Sequence, residues 1–288
     1  MENKIYLRFM GGLGNQMFQY AFMRSLIAHG QDAYPNMEWF QQNQNSSLNF
    51  VLLEVFPKVI IPMANDNDCK KSRRLQRIHK GINLLCRKEV FYVGEREDAV
   101  FEPDVFQRTG GTFDGYWQSE RYFKEIEDEI RDTFTFSVKD KTLADFIRKM
   151  EQQENTVSVH LRRGDYKGVE DMYGGICTTE YYQRALDDME NHLEHPVFYI
   201  FSNDMDWVKE NFKGKNFIYI TSGMFDTYEN WYDMLLMSKC KNNIIANSSF
   251  SWWGAWLNAN PTKRVIAPQK WVNTSSTPDK WAEGWMKL

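Results

Sequence analysis

The chain has 288 residues, 34.2 kDa, with 42% apolar, 15% aromatic and 26% charged residues and a formal net charge of −4. That length accommodates two domains, each with its own core, and the charge supplies no broad basic field, which argues against nucleic acid as a partner. Apolar runs stop short of a membrane span, the opening Met1-Glu2-Asn3-Lys4 leads into a strand rather than an apolar leader, and Cys69, Cys86, Cys177 and Cys240 lack metal-ligand or disulfide-framework spacing, so a cytoplasmic protein with reduced thiols is expected.

Ile5 to Phe9 reads as a first strand, followed by the turn Met10-Gly11-Gly12-Leu13-Gly14-Asn15-Gln16 and a helix carrying Phe18, Ala21, Phe22, Ser25 and Leu26 on one face, with Gly30 as its stop. Strand, glycine turn and helix begin a Rossmann-like unit, in which glycines let the backbone approach a ligand and the helix start offers N–H groups. The third glycine of the dinucleotide fingerprint is missing, which disfavours an oxidoreductase. Residues 39–67 read as irregular and polar. In 70–88, Leu75, Ile78, Ile82 and Leu85 recur at helical spacing among basic residues. That pattern fits a docked helix with a solvated face, and a minor reading makes it a weak peripheral contact with the inner membrane face.

Gly115-Tyr116-Trp117-Gln118-Ser119-Glu120 comes next, then an acidic helical run through Ile126 and Ile130. Residues 137–155 read as the helical passage between a first domain, 1–150, and a second, 151–288. From Thr156 the pattern is regular: strands at 156–161, 197–201, 217–220, 244–246 and 265–267 alternate with helices at about 179–193, 205–212, 228–239 and 252–257. Such alternation with short links predicts a parallel, doubly wound sheet.

Three strand ends in this half carry the polar chemistry: His160-Leu161-Arg162-Arg163-Gly164-Asp165, Ser202-Asn203-Asp204, and Asn247-Ser248-Ser249-Phe250-Ser251. In open α/β sheets the carboxyl ends of strands border the ligand crevice. A planar guanidinium there grips phosphate oxygens in pairs, and a helix opening on three hydroxyls, where a cap needs one, is a phosphate-binding arrangement. The bland alternative is a surface turn with Arg163 paired to Asp165 and a serine helix cap. Asp66-Asn67-Asp68 and Asp204-Met205-Asp206 match a minimal metal-binding string, but no His/Cys cluster supports it and no metal is expected.

The glycine turn of residues 10–16, Gly115 to Glu120, His160 to Tyr166, and Ile245-Ala246-Asn247-Ser248-Ser249-Phe250-Ser251-Trp252-Trp253-Gly254-Ala255-Trp256-Leu257 stand in an order that resembles glycosyltransferase family 11, the α-1,2-fucosyltransferases, in its bacterial branch. The resemblance implies a GT-B architecture: two Rossmann-like domains facing a central cleft, acceptor on the side of 1–150 and GDP-L-fucose on that of 151–288. It implies inverting transfer without metal or other cofactor. By similarity, Arg162 holds the pyrophosphate, His160 and Asp233 contact guanine, Ser248, Ser249 and Ser251 bind the donor's phosphate or ribose groups, and Asn247 joins them on the donor side. Ser202-Asn203-Asp204 departs from relatives that carry two acids there. Asp165 is the candidate base for the acceptor hydroxyl, and Asn15, Tyr116 and Gln118 are candidates for the acceptor side.

The function so implied is transfer of L-fucose to the 2-hydroxyl of a terminal β-galactose on an oligosaccharide or lipid-linked glycan. The alternatives are a fucosyltransferase of different linkage or acceptor, and a noncatalytic glycan- or nucleotide-binding protein.

Overall fold

The computed structural model describes residues 3–43, 48–62, 78, 81, 82, 85, 92–95, 100–162 and 170–288. They divide into two compact units, Met1–Thr135 with Thr277–Lys280, and Phe136–Ser276 with Trp281–Leu288.

Unit 1 is built on a parallel sheet of β1 (Lys4–Arg8), β2 (Asp32–Asn36), β3 (Tyr92–Gly94) and β4 (Gly111–Asp114), in the order β2-β1-β4-β3. β1 is interior to the sheet, and Ile5 and Leu7 are fully buried, as a strand flanked on both sides requires. The helix Leu13–Ala28 buries far more than the predicted stripe: Met17, Tyr20 and Met23 are buried with Phe18 and Phe22. Its aromatics meet those of later segments, with Phe22 stacked on Trp117 at 4.5 Å and Phe18 6.2 Å from Phe123. β2 escapes sequence patterning because it is an edge strand carrying Pro35, a residue the edge tolerates and the interior does not. β3 and β4 span only 3 and 4 residues. The short helices Glu38–Gln42 and Leu52–Val55 lie where an irregular stretch is expected.

Unit 2 carries six parallel strands in the order β10-β9-β8-β5-β6-β7. They are β5 (Thr156–Leu161), β6 (Val197–Ser202), β7 (Phe217–Tyr219), β8 (Asn242–Ile244), β9 (Val265–Ala267) and β10 (Met286–Lys287). β5 is buried along its whole length. With a period of two, Val157, Val159 and Leu161 pack in one cluster with Tyr181, Ala185 and Met189 of the helix Thr179–His192. A second cluster joins Tyr199 and Phe201 of β6 to Leu143, Ile147 and Met150 of the helix Lys141–Glu151, and to Leu235 and Leu236 of the helix Trp231–Lys239. The boundary therefore falls at Thr135–Phe136 rather than at 150, because the helix Lys141–Glu151 buries its apolar face in the second core.

The buried Ser158 hydroxyl of β5 is met by a side chain of β8. Asn243 donates to the Ser158 hydroxyl at 2.7 Å and to the Met237 carbonyl at 2.8 Å, and it accepts from Asn258 at 2.8 Å. An unpaired amide buried here would cost about 1–3 kcal/mol, so the pairing explains how a doubly asparagine strand enters a core. β8 accordingly begins two residues before the expected 244–246. Among the described residues no helix is long and apolar enough to cross a membrane. The basic segment 70–88, with its membrane reading, lies outside the described residues except at 78, 81, 82 and 85.

Candidate active site

β5 delivers His160 and Arg162 to its carboxyl end. His160 is buried, its carbonyl accepts the Tyr182 hydroxyl at 2.9 Å, and its ring lies 6.1 Å from that of Phe250. Arg162, half-buried, donates from Nη1 to the hydroxyl of Ser248 at 2.8 Å. Ser248 occupies the N-cap position of the helix Ser249–Leu257, yet its side chain makes no capping hydrogen bond. The hydroxyl that a cap would spend on the helix is spent on the guanidinium. The simple serine-cap alternative thus fails at this position, and the first turn of the helix lies beside an oriented cation.

The other serines and Asn247 divide differently. Ser249 opens the helix, half-buried. Ser251 is fully buried and its hydroxyl donates to the carbonyls of Ala246 and Ser248, each at 3.3 Å, so it braces the turn instead of lining a site. Asn247 is turned into the protein: its amide donates to the Trp271 carbonyl at 3.1 Å and its Oδ1 accepts from the Cys177 thiol at 3.3 Å. A donor contact from either side chain is not what this geometry favours. Gly254 serves packing, since a Cβ there would lie 2.9 Å from Cβ of Met237 on the neighbouring helix Trp231–Lys239.

That neighbouring helix holds Asp233 in its first turn, where Oδ1 accepts the Tyr228 hydroxyl at 2.8 Å. Burial raises the Asp233 carboxyl to about 6, against the opposing pull of the Tyr228 hydrogen bond, and burial followed by the Asp233 charge pushes the Tyr228 phenol well up. Asp233 therefore changes between neutral and ionised forms around pH 6. Asp165, with Arg163, lies outside the described residues.

In unit 1, the candidates of the acceptor side meet each other. Gln118 Nε2 donates to Asn15 Oδ1 at 2.6 Å, joining the turn after β4 to the start of the helix Leu13–Ala28. Tyr116 contributes its backbone: its N–H and that of Trp117 both donate to the Glu95 carboxylate, at 2.7 and 3.1 Å. Gly11 is needed twice, for its φ of 79° and because a Cβ would stand 2.4 Å from Asn15 Nδ2. The glutamines of this motif are braces. Gln16 donates to the carbonyls of Gly11 and Asn49 at 3.0 and 2.8 Å, and Gln19 accepts from the Met10 N–H at 3.0 Å. Two participants carried no local pattern to find them by, Glu95 and Lys280, the latter donating to Gln118 Oε1.

Among the described residues, no group of three or more His, Cys, Asp or Glu side chains could hold a metal ion. Asp204 is explained otherwise: it caps the helix Met205–Asn211 by accepting from the Trp207 N–H at 3.4 Å. Asp66 and Asp68 lie outside the described residues. What the unit 2 arrangement offers is a fixed guanidinium beside a helix start, suited to negative charge on phosphate.

The model of glycosyl transferase family 11 matches residues 110–288. An alpha-1,2-colitosyltransferase of Escherichia coli is 34% identical to the chain, over 96% of the chain and 97% of that protein. Galactoside alpha-(1,2)-fucosyltransferase 1 of Aotus azarae is 26% identical, over 88% of the chain and 64% of that protein. A mutant of Arabidopsis thaliana FUT1, solved in complex with GDP, superposes with a TM-score of 0.50 at 9% identity, covering 93% of the chain and 70% of that structure. The fold is that of the GT-B fucosyltransferases, and with the motifs in place across nearly its whole length, the chain belongs to glycosyl transferase family 11.

Proposed function

We propose that the chain transfers L-fucose from GDP-β-L-fucose to the 2-hydroxyl of a terminal β-galactose, with inversion and without a metal. The observation that carries this reading is the Arg162–Ser248 hydrogen bond at the mouth of the helix Ser249–Leu257. Breaking the bond between fucose C1 and the β-phosphate oxygen leaves an electron pair and negative charge on GDP. A guanidinium already oriented, next to backbone N–H groups, stabilises that charge as it develops and reorganises little in doing so.

The acceptor oxygen attacks C1 from the opposite face, and its proton must leave. Asp165 is the proposed base, four residues beyond the end of β5. His160 and Asp233 are proposed to meet guanine. The ionised Asp233 accepts from the ring N–H and amino group of the base, which favours the carboxylate against its burial. Asn15, Tyr116 and Gln118 are proposed for the acceptor, a galactose-terminated oligosaccharide or lipid-linked glycan.

The similarity to a colitosyltransferase favours one competing donor. Colitose is L-fucose without its 3-hydroxyl, so the same pyrophosphate site serves both and the choice rests on contacts to that hydroxyl. The test is purified protein with lactose in excess EDTA, supplied with GDP-L-fucose or GDP-L-colitose, and the product linkage read by NMR. An α-1,2-fucosyl product supports the proposal. Turnover with GDP-L-colitose alone replaces the donor, and no interaction with either donor overturns the reading.

A further inference from the structure

Lys280 has the lowest exposure of the buried charged residues described in unit 1, 1% against 7% for Glu102 and 8% for Glu120. Burying an ammonium is costly unless it is well partnered, so its place demands a reason. It lies 5.4 Å from the centroid of the Phe18 ring and donates to Gln118 Oε1. A lysine has three donors and no acceptor. Gln118 must therefore turn its carbonyl oxygen to Lys280, which sends Nε2 the other way, to Asn15 Oδ1 at 2.6 Å. Asn15 must in turn present its oxygen to Gln118, so Nδ2 becomes its opposite end, in the space that Gly11 keeps open by lacking a Cβ. One ammonium thus sets the direction of a chain of amides reaching the start of the helix Leu13–Ala28.

The turn that carries Gln118 is held under strain. Trp117 has φ 55°, a left-handed conformation that costs a bulky residue on the order of 1–3 kcal/mol. Its buried indole Nε1 makes no hydrogen bond among the described residues. The Glu95 carboxylate, gathering two successive N–H groups, and the stack of Trp117 on Phe22 hold this conformation in place. Strain of this kind persists where the surroundings over-determine a geometry, and here the geometry places Gln118 between Lys280 and Asn15.

We propose that Lys280 is a positioning residue for the acceptor: by fixing the direction of the Gln118–Asn15 amide chain, it makes Asn15 meet a galactosyl hydroxyl oxygen as a hydrogen-bond donor. This rests on the acceptor side assigned under the proposed function. The test compares Lys280→Met and Gln118→Glu with wild type. Gln118→Glu keeps an acceptor for Lys280 and gives it a counter-charge, but it cannot donate to Asn15. In both variants the acceptor KM should rise about tenfold, the effect of one hydrogen bond, with the donor KM within about twofold of wild type. For Gln118→Glu the Tm should equal or exceed that of wild type, which separates positioning from stability and decides the matter if Lys280→Met does not fold. Acceptor and donor KM moving together, or an unchanged acceptor KM in Gln118→Glu, overturns the proposal.

A substrate-free readout keeps the two readings apart. Side-chain amide protons of Gln118 should exchange slowly in wild type and rapidly once Lys280 no longer holds the carbonyl, in Lys280→Met or, should that variant not fold, in Lys280→Leu, neither of which has a side-chain donor. If wild type transfers no sugar, the proposed function has failed while this NMR measurement still decides whether Lys280 orients the amides; unchanged exchange rejects it.

Discussion

Replacing Ser248 with Ala separates two roles that a serine at a helix start can hold. If its hydroxyl capped the helix Ser249–Leu257, removal would cost about 1 kcal/mol, which in a protein of this size lowers Tm by about 2–4 °C. The structure shows no capping bond and instead a hydrogen bond accepted from Arg162 at 2.8 Å. Arg162 is half-buried, so water replaces the lost partner in the resting protein, and Tm should fall by less than about 1 °C. The cost appears when charge develops on the departing phosphate and the guanidinium lacks its Ser248 contact. Losing a preorganised contact of this kind is worth about tenfold to a hundredfold in kcat, with a smaller change in donor KM, and Ser248→Thr should recover most of it by restoring the hydroxyl. Steady-state kinetics with GDP-L-fucose and lactose, alongside thermal denaturation, read both quantities. A fall of 2–4 °C in Tm with unchanged kcat would show that Ser248 caps the helix and does not orient Arg162.

Arg162→Lys keeps the charge and loses the planar fork, so kcat should drop at least about a hundredfold with the circular dichroism spectrum unchanged; near-normal turnover removes Arg162 from the mechanism. Asp233, raised to about 6, is ionised above that pH and neutral below it, so donor affinity that depends on the carboxylate should weaken about tenfold from pH 7 to pH 5, a dependence that calorimetry should find absent in Asp233→Asn. Because its folded value lies above the unfolded one, the neutral acid favours the fold at low pH and that contribution is lost above about 6; without ligand, Asp233→Asn should therefore raise Tm at pH 8 and leave it nearly unchanged at pH 4. Gly254→Ala puts a methyl 2.9 Å from Cβ of Met237 and should destabilise by about 1–3 kcal/mol in denaturant unfolding, despite the better helix propensity of alanine.

Unit 2 was largely legible because its strands are apolar runs with regular helices between them. Val157, Val159 and Leu161 alternate with smaller or polar residues, and the helix Thr179–His192 carries Tyr182, Ala185, Leu186 and Met189 at helical spacing. In unit 1, β1 and the helix Leu13–Ala28 are legible, but β2 is an edge strand holding a proline, and β3 and β4, of 3 and 4 residues, have no regular helices around them to mark the alternation. The position of the domain boundary is not legible for a related reason. The helix Lys141–Glu151 is strongly charged outside and apolar inside, a pattern that reveals a buried face and says nothing of which core it faces. Only the contacts of Leu143, Ile147 and Met150 decide that.

The serine run shows where pattern stops and geometry begins. Three hydroxyls at a helix start are more than a cap requires, and this surplus correctly points to a polar task. It cannot assign the task, because within one turn successive side chains leave the helix about 100° apart. Ser248, still in extended backbone, projects to Arg162; Ser251 lies one turn inward, where only carbonyls are in reach. The same rule governs the amides of unit 1. Asn15 and Gln118 are visible as polar residues in glycine-bearing turns, but the direction of the hydrogen bond between them is dictated by Lys280, 162 positions from Gln118 along the chain. Sequence locates polar groups that need partners, and long-range contacts decide which end of each group faces which partner.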